Sequence, residues 1–175
     1  MKHLVIAATL ATTVFGAASV MAADGQVNFK GEIIDAACEV VNNMSNPLDV
    51  TLGKVAKTAF TGAGSTAAAT KFTLQLINCP DSVNSAKVKF DGTSVSGDNS
   101  VLALTTESGV ATGVGIQLSD ASQAVLPLYT ESTAYPLLPG TAVNSLDFVA
   151  RYIATSAVVT AGPANSVASF SVNYN

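Results

Sequence analysis

Cys38 and Cys79 are the residues of this 175-residue chain best suited to covalent chemistry, and the rest of the inventory decides what kind. The one histidine is His3, next to the basic Lys2, and tryptophan is absent. Loss of an N-terminal leader, argued below, removes that histidine. With it go the commonest general base, the commonest zinc ligand and any histidine-activated nucleophile. The chemistry expected of the cysteines is therefore with each other. An even pair in an exported protein more often forms a disulfide than serves as two reactive thiols. The two lie 41 positions apart, and closing a loop of that length stabilises a fold by about 4 kcal/mol in the chain-entropy view.

The remaining motifs are thin. "GVGIQL" at 113–118 and "GAG" at 62–64 lack the helix and third glycine of a dinucleotide-binding turn, so they read as strand and turn glycines. Asp91 and Asp98 in "DGTSVSGDNS" lack the ligand spacing of a calcium loop. Asn43-Met44-Ser45 has the form of a glycosylation acceptor, a triplet short enough to arise by chance. The carboxylates are scattered singly, as solvated strand faces require. The expectation is a protein that is not an enzyme and uses no cofactor or metal. A net charge of −4, a pI near 4.7 and no basic cluster argue against nucleic acid as a partner.

The N-terminus carries the compartment signal. "MKHLVIAATLATTVFGAASVMAADG" has a basic start, an apolar stretch from Leu4 to Val20 and a small-residue site that fits cleavage before Ala23. Thr9, Thr12, Thr13, Gly16 and Ser19 interrupt the apolar run, which is shorter than the ~20 residues a membrane span needs. Residues 1–22 are read as a secretory signal, and no stable membrane insertion is expected. Its removal leaves seven basic side chains against twelve acidic ones.

The mature chain must then position its cysteines on strands. Only 11% of residues are charged and 49% are hydrophobic, and Thr, Ser, Ala, Val and Gly are prominent, a mix suited to short strands and turns. Strand candidates are 26–40, 48–55, 70–78, 86–92, 100–106, 114–120, 124–130, 145–155 and the C-terminal run. Turn signals such as "NNMSNP", "NCPDS", "LLPGT" and "TAGP" lie between them, and the Ala-rich "GAGSTAAATK" reads as a loop. One all-β domain, a sandwich or barrel, follows.

Both ends alternate. Ala168, Phe170, Val172 and Tyr174 share one face of a C-terminal strand, with Ser169, Ser171, Asn173 and Asn175 on the other. Near the N-terminus Gly25, Val27, Phe29, Gly31 and Ile33 share a face opposite Gln26, Asn28, Lys30 and Glu32. Chain ends fray unless tied down. Either these are ordinary sandwich strands, or one of them is completed by another molecule through strand addition.

Three stretches, "VNFKGEIIDAACEV", "LQLINCP" and "FVARYIATSAVVTAGPANSVASFSVNY", resemble the chaperone–usher pilins, specifically type 1-like fimbrial major subunits. Gly162, fourteenth from the end, and the penultimate Tyr174 strengthen the likeness, which covers essentially the whole mature chain. The resemblance implies an incomplete immunoglobulin-like β-sandwich lacking its seventh strand, formed by residues 31–175. It implies that residues 23–30, with Ala23, Gly25, Val27 and Phe29, are a donor strand. It implies that Gly162, Ala168, Phe170, Val172 and Tyr174 belong to the strand that a periplasmic pilus chaperone recognises. The partners implied are that chaperone, an outer-membrane usher, and other copies of the chain in a homopolymeric cell-surface fimbria. Only Ala23 and Asp24 precede Gly25, fewer residues than many major pilins of this type have, so a minor adaptor pilin is the alternative rank. A tip adhesin needs a second, receptor-binding domain for which the chain is too short.

Overall fold

In the computed structural model, residues 24–34 and 36–175 are described, and two units are distinguished, divided after Ile33. The signal-peptide reading and Ala23 lie outside the described residues.

Within the larger unit, Ile34–Asn175, the strands are β1 (Glu39–Val40), β2 (Thr66–Ile77), β3 (Ser85–Asp91), β4 (Ser94–Val95), β5 (Asp98–Leu102), β6 (Val114–Asp120), β7 (Tyr135–Pro136), β8 (Asn144–Ala154) and β9 (Ser169–Tyr174). A single 3-10 turn at Lys57–Ala59 is the one helical element among the described residues. No described helix is long and apolar enough to cross a membrane. One sheet has the order β1-β2-β8-β6-β5-β4 and the other β7-β3-β9, with every ladder antiparallel.

Period-two patterning explains the packing. Leu146, Phe148, Ala150, Tyr152 and Ala154 of β8 are buried, as are Val114, Ile116 and Leu118 of β6, and Ala86, Val88 and Phe90 of β3. The two sheets meet through aromatic rings. Phe90 of β3 sets its edge against Phe148 of β8 at 5.1 Å between centroids, and Phe148 stacks on Phe72 of β2 at 5.7 Å. Cys38 and Cys79 form the expected disulfide, and both are buried.

Four expectations need correction. Of the strand expected over 26–40, only Glu39–Val40 joins a ladder. The run 48–55 forms no strand: Gly53 turns the backbone to φ 74°, although Leu52 and Val55 still pack on the core. The run 124–130 makes only a single bridge, Val125 to Ser119, because Pro127 lacks an amide donor and Tyr129 sits at φ 63°. Conversely, the expected loop "GAGSTAAATK" contains the start of β2 from Thr66. Its register shifts between Ala67 and Thr70, and Ala68 takes φ 55°, so a bulge absorbs the small residues and lets the strand continue.

Candidate functional site: an unpaired strand edge and its groove

Among the described residues β9 is the last strand in its sheet and bonds only to β3. Its register is Ala86 opposite Tyr174, Val88 opposite Val172 and Phe90 opposite Phe170. The neighbouring pair Ser85 and Asn175 exchanges both backbone bonds, at 3.0 and 2.9 Å. In an antiparallel ladder such bonded pairs alternate with non-bonded ones. Ser169, Ser171 and Asn173 therefore spend their backbone groups on β3. Those of Phe170, Val172 and Tyr174 point along the opposite edge, which pairs with no other strand among the described residues. On the β3 side the pattern is complete: Val88 bonds Ser132, and the Phe90 carbonyl accepts from the Tyr129 amide at 2.8 Å.

Phe170, Val172 and Tyr174, whose backbone groups face that edge, also have half-open side chains. Ala168, Phe170, Val172 and Tyr174 are half-buried, lying on the core but not covered by it. Phe170 meets Phe90 at 6.3 Å, and the Tyr174 hydroxyl donates to the carbonyl oxygen of Cys38 at 3.4 Å. Burial pushes the Tyr174 phenol above its ordinary pKa. The solvent side of β9 is held by Glu131, which accepts from Asn173 at 2.6 Å and from Lys87 at 3.2 Å. Those two contacts, Asn173 first, keep the Glu131 carboxyl below its usual range.

Toward its N-terminal end the β9 segment opens into a cleft of about 530 Å³. Val55, Phe60, Ala111, Tyr152, Val159 and Ala164 line it, with Lys54 and Lys57 also among its wall residues. The Tyr152 hydroxyl bonds the Ala164 carbonyl at 3.1 Å, and Ala111 N–H bonds the Pro163 carbonyl at 2.8 Å. Gly162 lies here because nothing larger fits. A Cβ at that position would overlap the Gly109 carbonyl oxygen and come within 2.7 Å of the Ala111 nitrogen. The cleft, Lys54 and Lys57 were not singled out from sequence, since 48–60 has no ladder and its apolar residues are irregularly spaced.

Gly162, Ala168, Phe170, Val172 and Tyr174 thus lie along one chain segment, Gly162 at the cleft and the other four half-buried along or beside β9. The N-terminal residues are elsewhere in character. Residues 25–34 form no strand, and Val27, Phe29 and Ile33 are 74%, 92% and 98% exposed. Gln26 donates to Asn28 at 2.7 Å. No group of three or more metal-ligating side chains is found among the described residues.

Comparison with known proteins gives one consistent result. The sequence profile of the family described as "Fimbrial protein" matches residues 27–175. The chain is 40% identical to the type-1 fimbrial protein A chain of Escherichia coli strain K12, over 96% of this chain and 93% of that protein. It is 36% identical to fimbrial subunit type 1 of Salmonella typhimurium, over 99% of this chain and 100% of that one. Its fold is similar to the crystal structure of the P pilus rod subunit PapA, with TM-score 0.65 and 25% identity, covering 80% of this chain and 100% of that structure.

Proposed function

This chain belongs to the fimbrial protein family, a family of structural rather than catalytic subunits of cell-surface pili, and from that premise we propose that it polymerises by donor-strand exchange as the rod subunit of a fimbria. In this reading a periplasmic chaperone covers the groove first and delivers the subunit to an outer-membrane usher. The N-terminal segment of the next copy then replaces the chaperone. The observation that carries the proposal is the edge of β9, which has no second partner among the described residues: a six-residue strand with such an edge and a half-open apolar face is a template for one more strand.

The donated segment follows from exposure and size. The exposed apolar alternation runs on to Ile33, so the proposed donor, residues 23–30, is extended to Ile33, about 36 Å at strand rise. Val27 and Phe29, seated in the groove, contribute roughly 1.5–3 kcal/mol each. Direction follows from fit. Laid antiparallel to β9, the segment sets Gly25 beside the bulky Tyr174 and Ile33 at the cleft. Laid parallel, it leaves the cleft to Gly25 and presses Ile33 on Tyr174. The antiparallel arrangement matches large to open and small to filled.

Rod rank is supported by the similarity to the P pilus rod subunit and to a type-1 A chain. Electron microscopy of sheared surface fibres, labelled with antibody to this chain, tests it. Continuous labelling is expected for a rod, and label confined to fibre tips overturns that rank in favour of an adaptor.

A further inference from the structure

The cleft that ends the groove is apolar inside and positive at one wall. Lys54 and Lys57 contribute to that wall and are exposed. The ion pairs among the described residues are Lys71–Asp147, Lys87–Glu131 and Lys89–Asp91, and none uses either cation. Glu107 is bonded to Asn165 on the β9 side, so the positive charge belongs to the 53–57 wall. Two uncommitted lysines beside an open apolar cleft are notable in a chain with only eight basic side chains against twelve acidic ones.

We infer that Lys54 and Lys57 select the incoming strand by the charge of Glu32 in the second copy. The inference rests on the groove reading above and adds a specificity element to it. With Ile33 entering the cleft, Glu32 is one residue away on the opposite face of the strand. It therefore stands on the solvent side of the cleft mouth, beside the wall to which the exposed Lys54 and Lys57 contribute. Cations at a rim contribute discrimination and encounter rate more than affinity, and salt screens them. A donor with a lysine at that position meets two like charges and is disfavoured; one with a carboxylate is drawn in. The lysines thereby reject strands of the wrong charge at the cleft end of the groove.

A competition experiment tests this. The full chain is refolded in 20 mM salt with an equimolar mixture of two peptides spanning residues 24–35, one native and one carrying Glu32→Lys. The bound ratio is read by mass spectrometry. The native peptide is expected to be bound in about three- to tenfold excess, the range two exposed ion pairs can supply. The excess should vanish in 1 M salt, where the screening length is about 3 Å. In a chain carrying Lys54→Glu and Lys57→Glu the preference should reverse. A ratio near one at low salt, or a preference unchanged by the lysine substitutions, overturns the lysine inference while uptake itself sustains the groove reading. If neither peptide is bound, the groove reading fails and the inference fails with it.

Discussion

The penultimate residue, Tyr174, donates its hydroxyl to the backbone carbonyl of Cys38, 136 positions away in sequence, and so links the edge strand to the Cys38–Cys79 disulfide. The contact explains how a terminal strand with one empty edge keeps its place. β3 holds it on one side, Glu131 bonds Asn173 from the solvent face, and Tyr174 anchors its end on the core.

Tyr174→Ser removes that anchor and most of the apolar body at the end of the groove. Recovery of chaperone-bound subunit is expected to fall several-fold while secretion into the periplasm is unchanged. Equal yields of complex for the two chains, measured by co-purification with the chaperone, count against β9 as the recognised strand.

Cys38→Ser removes about 4 kcal/mol of loop-closure stabilisation, a large share of a domain's usual 5–15 kcal/mol. In a sandwich short of one strand that loss is expected to clear the subunit from the periplasm by proteolysis. An immunoblot of periplasmic extracts checks it; normal accumulation would show that the bridge is dispensable.

Gly162→Ala tests the close approach of the 160–165 segment to Gly109–Ala111. The added methyl forces backbone apart and is expected to cost about 1–3 kcal/mol, read as a lower urea midpoint. An unchanged midpoint means the two segments separate freely.

Acid sensitivity has a defined sign at Asp147. The hydrogen bond from Lys71, 2.8 Å away, and then the one from Thr73 hold its carboxyl below the ordinary range. A depressed folded pKa contributes stability above the unfolded value of about 3.9, and that contribution is lost as pH falls through the folded pKa. Asp147→Asn should be less stable than wild type at pH 7 by about 0.3 kcal/mol, since the pair is solvent-screened. The gap should close at pH 2–3 in urea titrations, and a gap that widens there contradicts the assignment.

Much of this was legible in the residues themselves. The alternation at 168–174 gave the half-buried set Ala168, Phe170, Val172 and Tyr174, and the runs around 86–92, 114–120 and 145–155 gave three central strands nearly to their bounds. Where two sheets cover a strand, one face is buried and period two must appear. The failures have the opposite cause. At 26–40 the alternation is present but a strand exists only when a ladder partner does, and sequence carries the face without the partner. At 48–60 the apolar residues Leu52, Val55 and Phe60 fill the end of the sandwich from irregular backbone, so no period announces them. Gly162 was singled out by its place in the chain, whereas its reason, the Gly109 carbonyl, comes from a segment over 50 residues earlier.

The most direct test is Phe29→Asp, which puts a charge on the apolar face of the proposed donor segment while leaving β1–β9 untouched. Subunit bound to chaperone is expected at wild-type level, because residues 24–33 form no ladder in their own chain. The ladder of multimers on gels of unboiled samples, and fibres seen by electron microscopy, should be lost, because a carboxylate cannot be buried in the next subunit's groove without a partner. If the variant instead lowers the yield of chaperone-bound monomer and leaves the surviving protein's ladder intact, the segment completes its own domain and donor-strand exchange between copies is contradicted.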